Sequence, residues 1–227
     1  MRLNRATFLT GSLAAASAAL SERAEGATPP PAGATPEMLL GRLLAGNRRF
    51  VENDFPQVNR VAEKRELVVE GQAPYAAVLS CADSRVIPEL VFVSGIGQLF
   101  VTRVAGNYPD GLVIGSIEYA IDHLGVTLVL VLGHQGCGAV KAVYSALENK
   151  AQLPPHLSSI QELVAPGIAG VVAARGSIDS AIEANVRAAT ATFRASPPLI
   201  SKEVEAGRVR VAGGVYHLRS GEVKLIE

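Results

Sequence analysis

The chain has 227 residues, 21 basic and 21 acidic, for a formal net charge of zero, and 48% of it is hydrophobic. That balance excludes the bulk positive field that holds proteins on nucleic acid, and it excludes the composition of a disordered chain. Two Cys, four His and no Trp exclude a disulfide-dense scaffold, and the length leaves room for a sizeable core in one domain or two small ones.

The N-terminus reads as an address. Arg2 and Arg5 precede an uncharged, Ala- and Leu-rich run from Phe8 to Leu20, and small residues follow. A basic start, a short apolar centre and small residues describe an export signal over residues 1–26. Its apolar run of about 13 residues is shorter than the roughly 20 that span a membrane comfortably. Asn4 to Leu9 looks like a twin-arginine signal with the second Arg missing. Export would place the mature protein in the periplasm. Residues 27–36, with Pro29-Pro30-Pro31, read as an extended linker. Loss of the signal removes three Arg and two Glu, leaving 18 basic and 19 acidic residues, still near neutral.

Residues 37–227 form the expected domain. Leu39, Leu40, Leu43, Leu44, Phe50 and Val51 recur at helical spacing between Pro36 and Asp54. Arg60 to Gly71 predicts a second helix. Tyr75–Ser80 and Thr127–Leu132 are apolar runs without alternation, as strands buried on both faces require; Gln98–Arg103 is a third strand. Helices are expected at Leu112–Leu124 and Gly138–Asn149. The Pro- and Gly-interrupted stretch up to Gly176 predicts helix in pieces, and Ser177–Ala195 a long helix that Pro197-Pro198 stops. Arg208–Leu218 and Glu222–Ile226, joined at Arg219-Ser220-Gly221, predict a closing antiparallel pair. Strands alternating with helices imply an α/β fold, its central sheet mostly parallel with an antiparallel edge strand and helices flanking it.

Ligands of open parallel sheets collect beyond the carboxyl ends of the strands. Cys81-Ala82-Asp83-Ser84-Arg85 follows one buried strand, and Gly133-His134-Gln135-Gly136-Cys137-Gly138 follows another. Two thiols and an imidazole are the donors zinc prefers, and three ligands leave a fourth position for water. Such a site makes hydroxide available near neutral pH. Gly133, Gly136 and Gly138 would let the backbone bend closely round an ion. Two Cys in an exported protein also fit a disulfide, and a His beside a strand also fits a satisfied core residue. A phosphatase loop would place Arg six residues past Cys81, where the chain has Ile87. Gly95-Ile96-Gly97 lacks the rest of a nucleotide-binding loop.

The two motifs together resemble those of the β-class carbonic anhydrases. The resemblance extends through Gly46-Asn47-Arg48-Arg49-Phe50, Val101 to Asn107, Ser116 to Ala120 and Gly133 to Val140, in the family's order, and covers Pro36 to the C-terminus. It implies one Zn2+ per subunit on Cys81, His134 and Cys137, and reversible hydration of CO2 to bicarbonate. It implies that Arg85 pairs with Asp83 in an open form, where Asp83 orients the metal's water, and that Asp83 becomes the fourth ligand in a closed form. Gln72 and Gly138 are the implied substrate contacts. The bicarbonate-inhibited subgroup carries a Trp three residues before the first Cys; here that residue is Val78, while Arg103 and Tyr216 fit its companions. An open-type enzyme is therefore expected. Phe100, Ile96 and Tyr119 are candidates for an apolar pocket wall or for core. His123, His156 and His217 show no evident proton-carrying role. The resemblance further implies a homodimer or higher homo-oligomer with no membrane span in the mature protein. Two other readings stand beside it: hydrolysis of CS2 or COS on the same scaffold, and a non-catalytic zinc-binding or redox protein with a Cys81–Cys137 disulfide.

Overall fold

A computed structural model of the chain describes residues 30–55 and 61–226. The expected export signal, and the linker up to residue 29, lie outside the described residues.

Helix α1 (Pro36–Val51) starts where Thr35 Oγ1 accepts the Met38 N–H at 3.3 Å, with Pro36 in the first turn. It stops three residues before the expected Asp54, because Asn53 takes a left-handed φ of 58°. Helix α2 covers Val61–Leu67. Strand β1 (Ala76–Ser80) is buried throughout. Helix α3 (Pro88–Val91) is a single turn that the sequence pattern does not reveal. It leads to β2 (Leu99–Arg103), and α4 (Gly111–Leu124) follows, capped by Asp110.

Strand β3 (Leu128–His134) is buried at every position. It runs two residues past the expected end, so His134 lies on the strand and not after it. The extension is set by pairing, since Gly133 and His134 continue the ladder opposite Val215 and Tyr216 of β4 (Arg210–Tyr216). Gly133 is required there for a second reason. A Cβ would sit 2.4 Å from Val186 Cγ2 of the helix packed above.

Helix α5 (Gly138–Glu148) is followed by α6 (Leu157–Ala173), which is one continuous helix around Pro166 instead of the expected pieces. Pro166 forfeits one backbone bond, but Val164 and Ile168 on either side are fully buried. Packing therefore outweighs the local break. Helix α7 (Ile178–Arg194) starts at Ser177, whose hydroxyl accepts the Ser180 N–H at 3.0 Å. Pro197-Pro198 ends the helical run, as expected, but α8 (Leu199–Glu205) restarts at once, anchored by buried Ile200. Strand β5 (Val223–Ile226) closes the chain.

The sheet order is β2-β1-β3-β4-β5. All pairs are parallel except β4–β5, which is antiparallel at the edge. Alternate residues serve opposite faces. Ala77, Leu79, Val129, Val131, Val211 and Val215 join one core with residues of α4 to α8. Ala76, Val78, Leu128, Leu130, Leu132 and Ala212 join a second core with α1 and α3. Cys81 continues the first set. The chain leaves β1 for β2 on one side and returns to β3 on the other. The crevice beyond the carboxyl ends of β1 and β3 is thus the switch point where α/β sheets bind ligands. No helix among the described residues is long and apolar enough to cross a membrane.

Candidate metal centre

Three side chains converge in that crevice. Cys81 follows β1, His134 ends β3, and Cys137 caps α5; their donor atoms lie within 4.8 Å of one another, and all three residues are buried. The two Sγ atoms are 3.9 Å apart and unbonded. A disulfide needs about 2.05 Å, whereas two thiolates on a tetrahedral zinc at about 2.3 Å stand about 3.8 Å apart. The geometry therefore disfavours the disulfide reading.

His134 supplies the clearest sign that the group is built for an ion. Its Nδ1 lies 3.1 Å from the Gln135 carbonyl oxygen, which holds the N–H on that side of the ring. Nε2 is fully buried and has no hydrogen-bond partner. A buried nitrogen without a hydrogen-bond partner, within 4.8 Å of two sulfurs, suits a soft to borderline cation.

The sulfurs share a contact that moves their acidities apart. Hydrogen bonding from Cys137 pulls the Cys81 thiol well below its usual range against the opposing effect of burial. The same contact, with burial, pushes Cys137 up, while the Val140 and Ala139 N–H groups at the start of α5 oppose it. A cation at the centre removes this asymmetry, since a coordinated thiol is deprotonated outright.

Asp83 stands at the rim, its Oδ2 3.9 Å from His134 Nε2. Arg85 grips it with both arms of its fork, Nε to Oδ1 at 2.9 Å and Nη2 to Oδ2 at 2.7 Å, and its backbone N–H adds a bond of 3.0 Å. These bonds hold the Asp83 carboxyl well below the usual carboxylate range. Arg103 fixes the same loop through its main chain: Nε donates to the Cys81 carbonyl at 3.0 Å and Nη2 to that of Asp83 at 2.6 Å. The sequence pattern singled out Arg103 only as a companion of a missing Trp. Its role as a clamp on the ligand loop depends on β2 lying beside β1 and has no local signal.

The other candidates lie apart. Gly138 is the first residue of α5, next to Cys137. Gln72 is exposed on the loop before β1, at the end of the strand opposite Cys81. Tyr119 and Ile96 are exposed, while Phe100 is half-buried and packs against the first core; the Phe100 and Tyr119 rings lie 6.2 Å apart.

Comparison with known proteins agrees with this site. The family model described as carbonic anhydrase matches residues 76–223. A carbonic anhydrase of Mycolicibacterium smegmatis is 38% identical over 184 residues, which is 81% of this chain and 89% of that one. Carbonic anhydrase 2 of Mycobacterium tuberculosis is 35% identical over the same shares. Among solved structures, the Coccomyxa β-carbonic anhydrase in complex with acetazolamide superposes with a TM-score of 0.64 at 30% identity, covering 82% of this chain and 86% of that one. The β-carbonic anhydrase CcaA gives 0.64 at 26% identity, covering 83% and 95%. With the family model over most of the domain, relatives of 35–38% identity over most of both chains and a Cys/His/Cys cluster of its own at the switch point, the chain belongs to the β-class carbonic anhydrases and is an enzyme of reversible CO2 hydration.

Proposed function

We propose that the ion is zinc, that the site works in the open form, and that the enzyme acts as an oligomer after export. The observation that carries the zinc reading is the buried, partnerless Nε2 of His134 within 4.8 Å of two thiols that stand 3.9 Å apart. Two sulfurs and one imidazole suit zinc. When bound, zinc supplies Lewis acidity and makes a water nucleophile available near neutral pH, a chemistry of which carbonic anhydrase is itself the standard example.

The chain's own residues do the rest. Cys81, His134 and Cys137 would hold the ion. Arg85 occupies both lone pairs of Asp83 Oδ1 and one of Oδ2. A second lone pair on Oδ2 remains to accept a hydrogen bond from the nucleophile and aim it at CO2. Because Arg85 keeps the carboxylate ionised, that acceptor persists throughout the neutral range. The same grip keeps Asp83 from becoming a fourth ligand. The backbone N–H of Gly138 is in the first turn of α5, where amides have no intrahelical partner, and it can donate to bicarbonate.

Gln72 is separated from its own Cys81 by the whole of β1, about 16 Å of strand. In this reading it serves the site of a neighbouring subunit. Exposed Leu112, Tyr119 and Ile96 support such a contact. A structure of similar fold, at 22% identity, is described as that of two tetrameric β-carbonic anhydrases from Sordaria macrospora. Export rests on residues 1–26. A twin-arginine route would carry the folded, metal-loaded protein and so protect both thiols from oxidation. Following export of the Arg5→Lys variant with each translocation pathway blocked in turn tests that route, and unaffected Sec-dependent export would overturn it.

The deciding experiment pairs metal analysis with stopped-flow CO2 hydration. One zinc per chain and rapid hydration between about pH 7 and 8.5 are expected. Zinc-loaded protein without hydration activity would overturn the reading, as would metal-free protein carrying a Cys81–Cys137 disulfide.

A further inference from the structure

At the end of the sheet away from the metal centre, a small polar cleft lies between α1 and the starts of β1 and β2. Tyr75 stands just before β1 and Gln98 just before β2, joined by the Tyr75 N–H on the Gln98 carbonyl at 2.9 Å. Together with Ser94, and with Arg42 and Arg49 of α1, they line the cleft. The two arginines are seven residues apart, about two helical turns, and so share a face of α1. No residue lining the cleft is acidic. It encloses about 10 Å³, room for a single water-sized group such as one oxygen of a larger ligand.

The parts of the cleft are held in place. Tyr75 is 3% exposed and Gln98 7%. The Tyr75 hydroxyl lies 3.0 Å from Ser94 Oγ, which in turn donates to the Phe92 carbonyl at 3.3 Å. Gln98 Oε1 accepts the Gly95 N–H at 2.7 Å. The Arg42 guanidinium carbon stands 4.2 Å from the centre of the Tyr75 ring. Such stacking uses the face of the cation, whereas its N–H donors lie in the plane. The Arg49 guanidinium makes no hydrogen bond or ion pair among the described residues. Burial pushes the Tyr75 phenol up, and the Ser94 bond and then the charges of Arg42 and Arg49 oppose that rise. Both arginine charges therefore favour an anion beside the phenol oxygen.

We propose that this cleft binds a small oxyanion of the phosphate or sulfate type, one oxygen entering beside Tyr75 while the guanidinium groups of Arg42 and Arg49 hold the rest. The guanidinium fork matches the paired oxygens of such anions. Bound there, the anion ties α1 to Ser94 and to the starts of β1 and β2. Binding to the folded chain alone then stabilises it. The metal centre lies beyond the far ends of the same strands, so this inference stands apart from the metal reading.

The test titrates inorganic phosphate into the full chain at constant ionic strength, set with chloride, and follows the amide NMR shifts of Ser94 and Gln98 together with Tm. The wild type should show saturable shifts at both amides and a rise in Tm. Sulfate should compete, and the affinity should be the same before and after a chelator removes the metal. Arg49→Met should weaken binding at least about 10-fold. Tyr75→Phe, which keeps the ring under Arg42, should weaken it about 3-fold. Arg48→Met removes the same charge from an exposed neighbour and should leave the affinity unchanged. Absent or non-saturating shifts in the wild type overturn the inference even where a variant fails to fold. Equal weakening in Arg48→Met and Arg49→Met does so too, as adventitious surface binding. Affinity lost with the metal would put the phosphate on the metal instead. A wild type that takes up neither anion, with a smaller assembly for Arg49→Met in sedimentation, would give the cleft to a carboxylate of a second copy and overturn the inference.

Discussion

Asn47 and His134 are both buried polar side chains, at 5% and 0% exposure. Asn47 lies on α1, on the face that α1 and α3 cover. Its Nδ2 donates to the carbonyls of Gly221 at 2.8 Å and Val91 at 3.2 Å, and its Oδ1 accepts the Val223 N–H at 2.8 Å. One amide thereby ties α1 to α3 and to the start of β5, with both polar atoms engaged. His134 uses Nδ1 and leaves Nε2 with nothing. A buried group in that state costs about 1–3 kcal/mol. The difference separates two kinds of buried polarity. Where every donor and acceptor is matched, the cluster holds the fold; where one converging atom is left over, the fold is holding a place for a ligand.

The sharpest way to break this distinction is to remove a ligand. Cys137→Ser or His134→Ala should bind no metal under dialysis and lose at least about 1000-fold in hydration rate. The metal-free variants should unfold in urea near the midpoint of the metal-free wild type. A collapse of the fold would show that the centre is structural, as Asn47 is.

Asp83→Asn tests the rim. Arg85 would lose its charged partner and the nucleophile its acceptor, so the rate should fall about 10- to 100-fold with one metal per chain retained. Loss of metal along with the rate would place Asp83 among the ligands.

The converse experiment is Asn47→Ala. It strands three main-chain groups and should cost about 2–3 kcal/mol in urea unfolding, with metal content and specific activity of the folded fraction unchanged. A loss of metal affinity here would erase the contrast between the two clusters.

The smallest effect is expected where a charge pair lies in the open. Arg208 grips Glu203 as Arg85 grips Asp83, with bonds of 2.6 and 2.8 Å, and these hold the Glu203 carboxyl below its usual value. A depressed carboxyl favours the folded state above the unfolded pKa, about 4.3 for Glu, and that contribution disappears as pH falls through the folded value. Glu203→Gln should therefore lower Tm slightly and by a constant amount from about pH 6 to 8, and not at all in strong acid. A large effect at neutral pH would mean that exposed and site-rim pairs do not differ in kind.

The parts of the site that were legible in the sequence are those whose chemistry is carried by residue type. Cys81, Asp83, Arg85, His134 and Cys137 sit beside or at the ends of apolar runs that can only be buried strands, and a parallel sheet brings those strand ends together. The residue that holds their loop was not legible. Arg103 acts through the carbonyls of Cys81 and Asp83. Main-chain groups carry no residue signature, and these partners are 22 and 20 positions apart. Short elements were hidden for a related reason. Helices α3 and α8 have four and seven residues, too few for periodicity to show, and they form because neighbours bury Val91 and Ile200. Pro166 misled in the opposite direction, since its local penalty is real but smaller than the burial of Val164 and Ile168 around it.

By itself, then, the sequence determined the fold class, the strand pair that bears the centre and the donor atoms of that centre, because hydrophobic runs and ligand chemistry are local properties. Only the tertiary structure decided that His134 stands on the strand with Nε2 unmatched, that the two sulfurs stand 3.9 Å apart unbonded, and that Arg103 holds the Cys81 loop by its carbonyls. Those outcomes depend on register, on the close approach of α7 to Gly133 and on which carbonyl meets which side chain, and each of these is set by packing between segments distant in the chain.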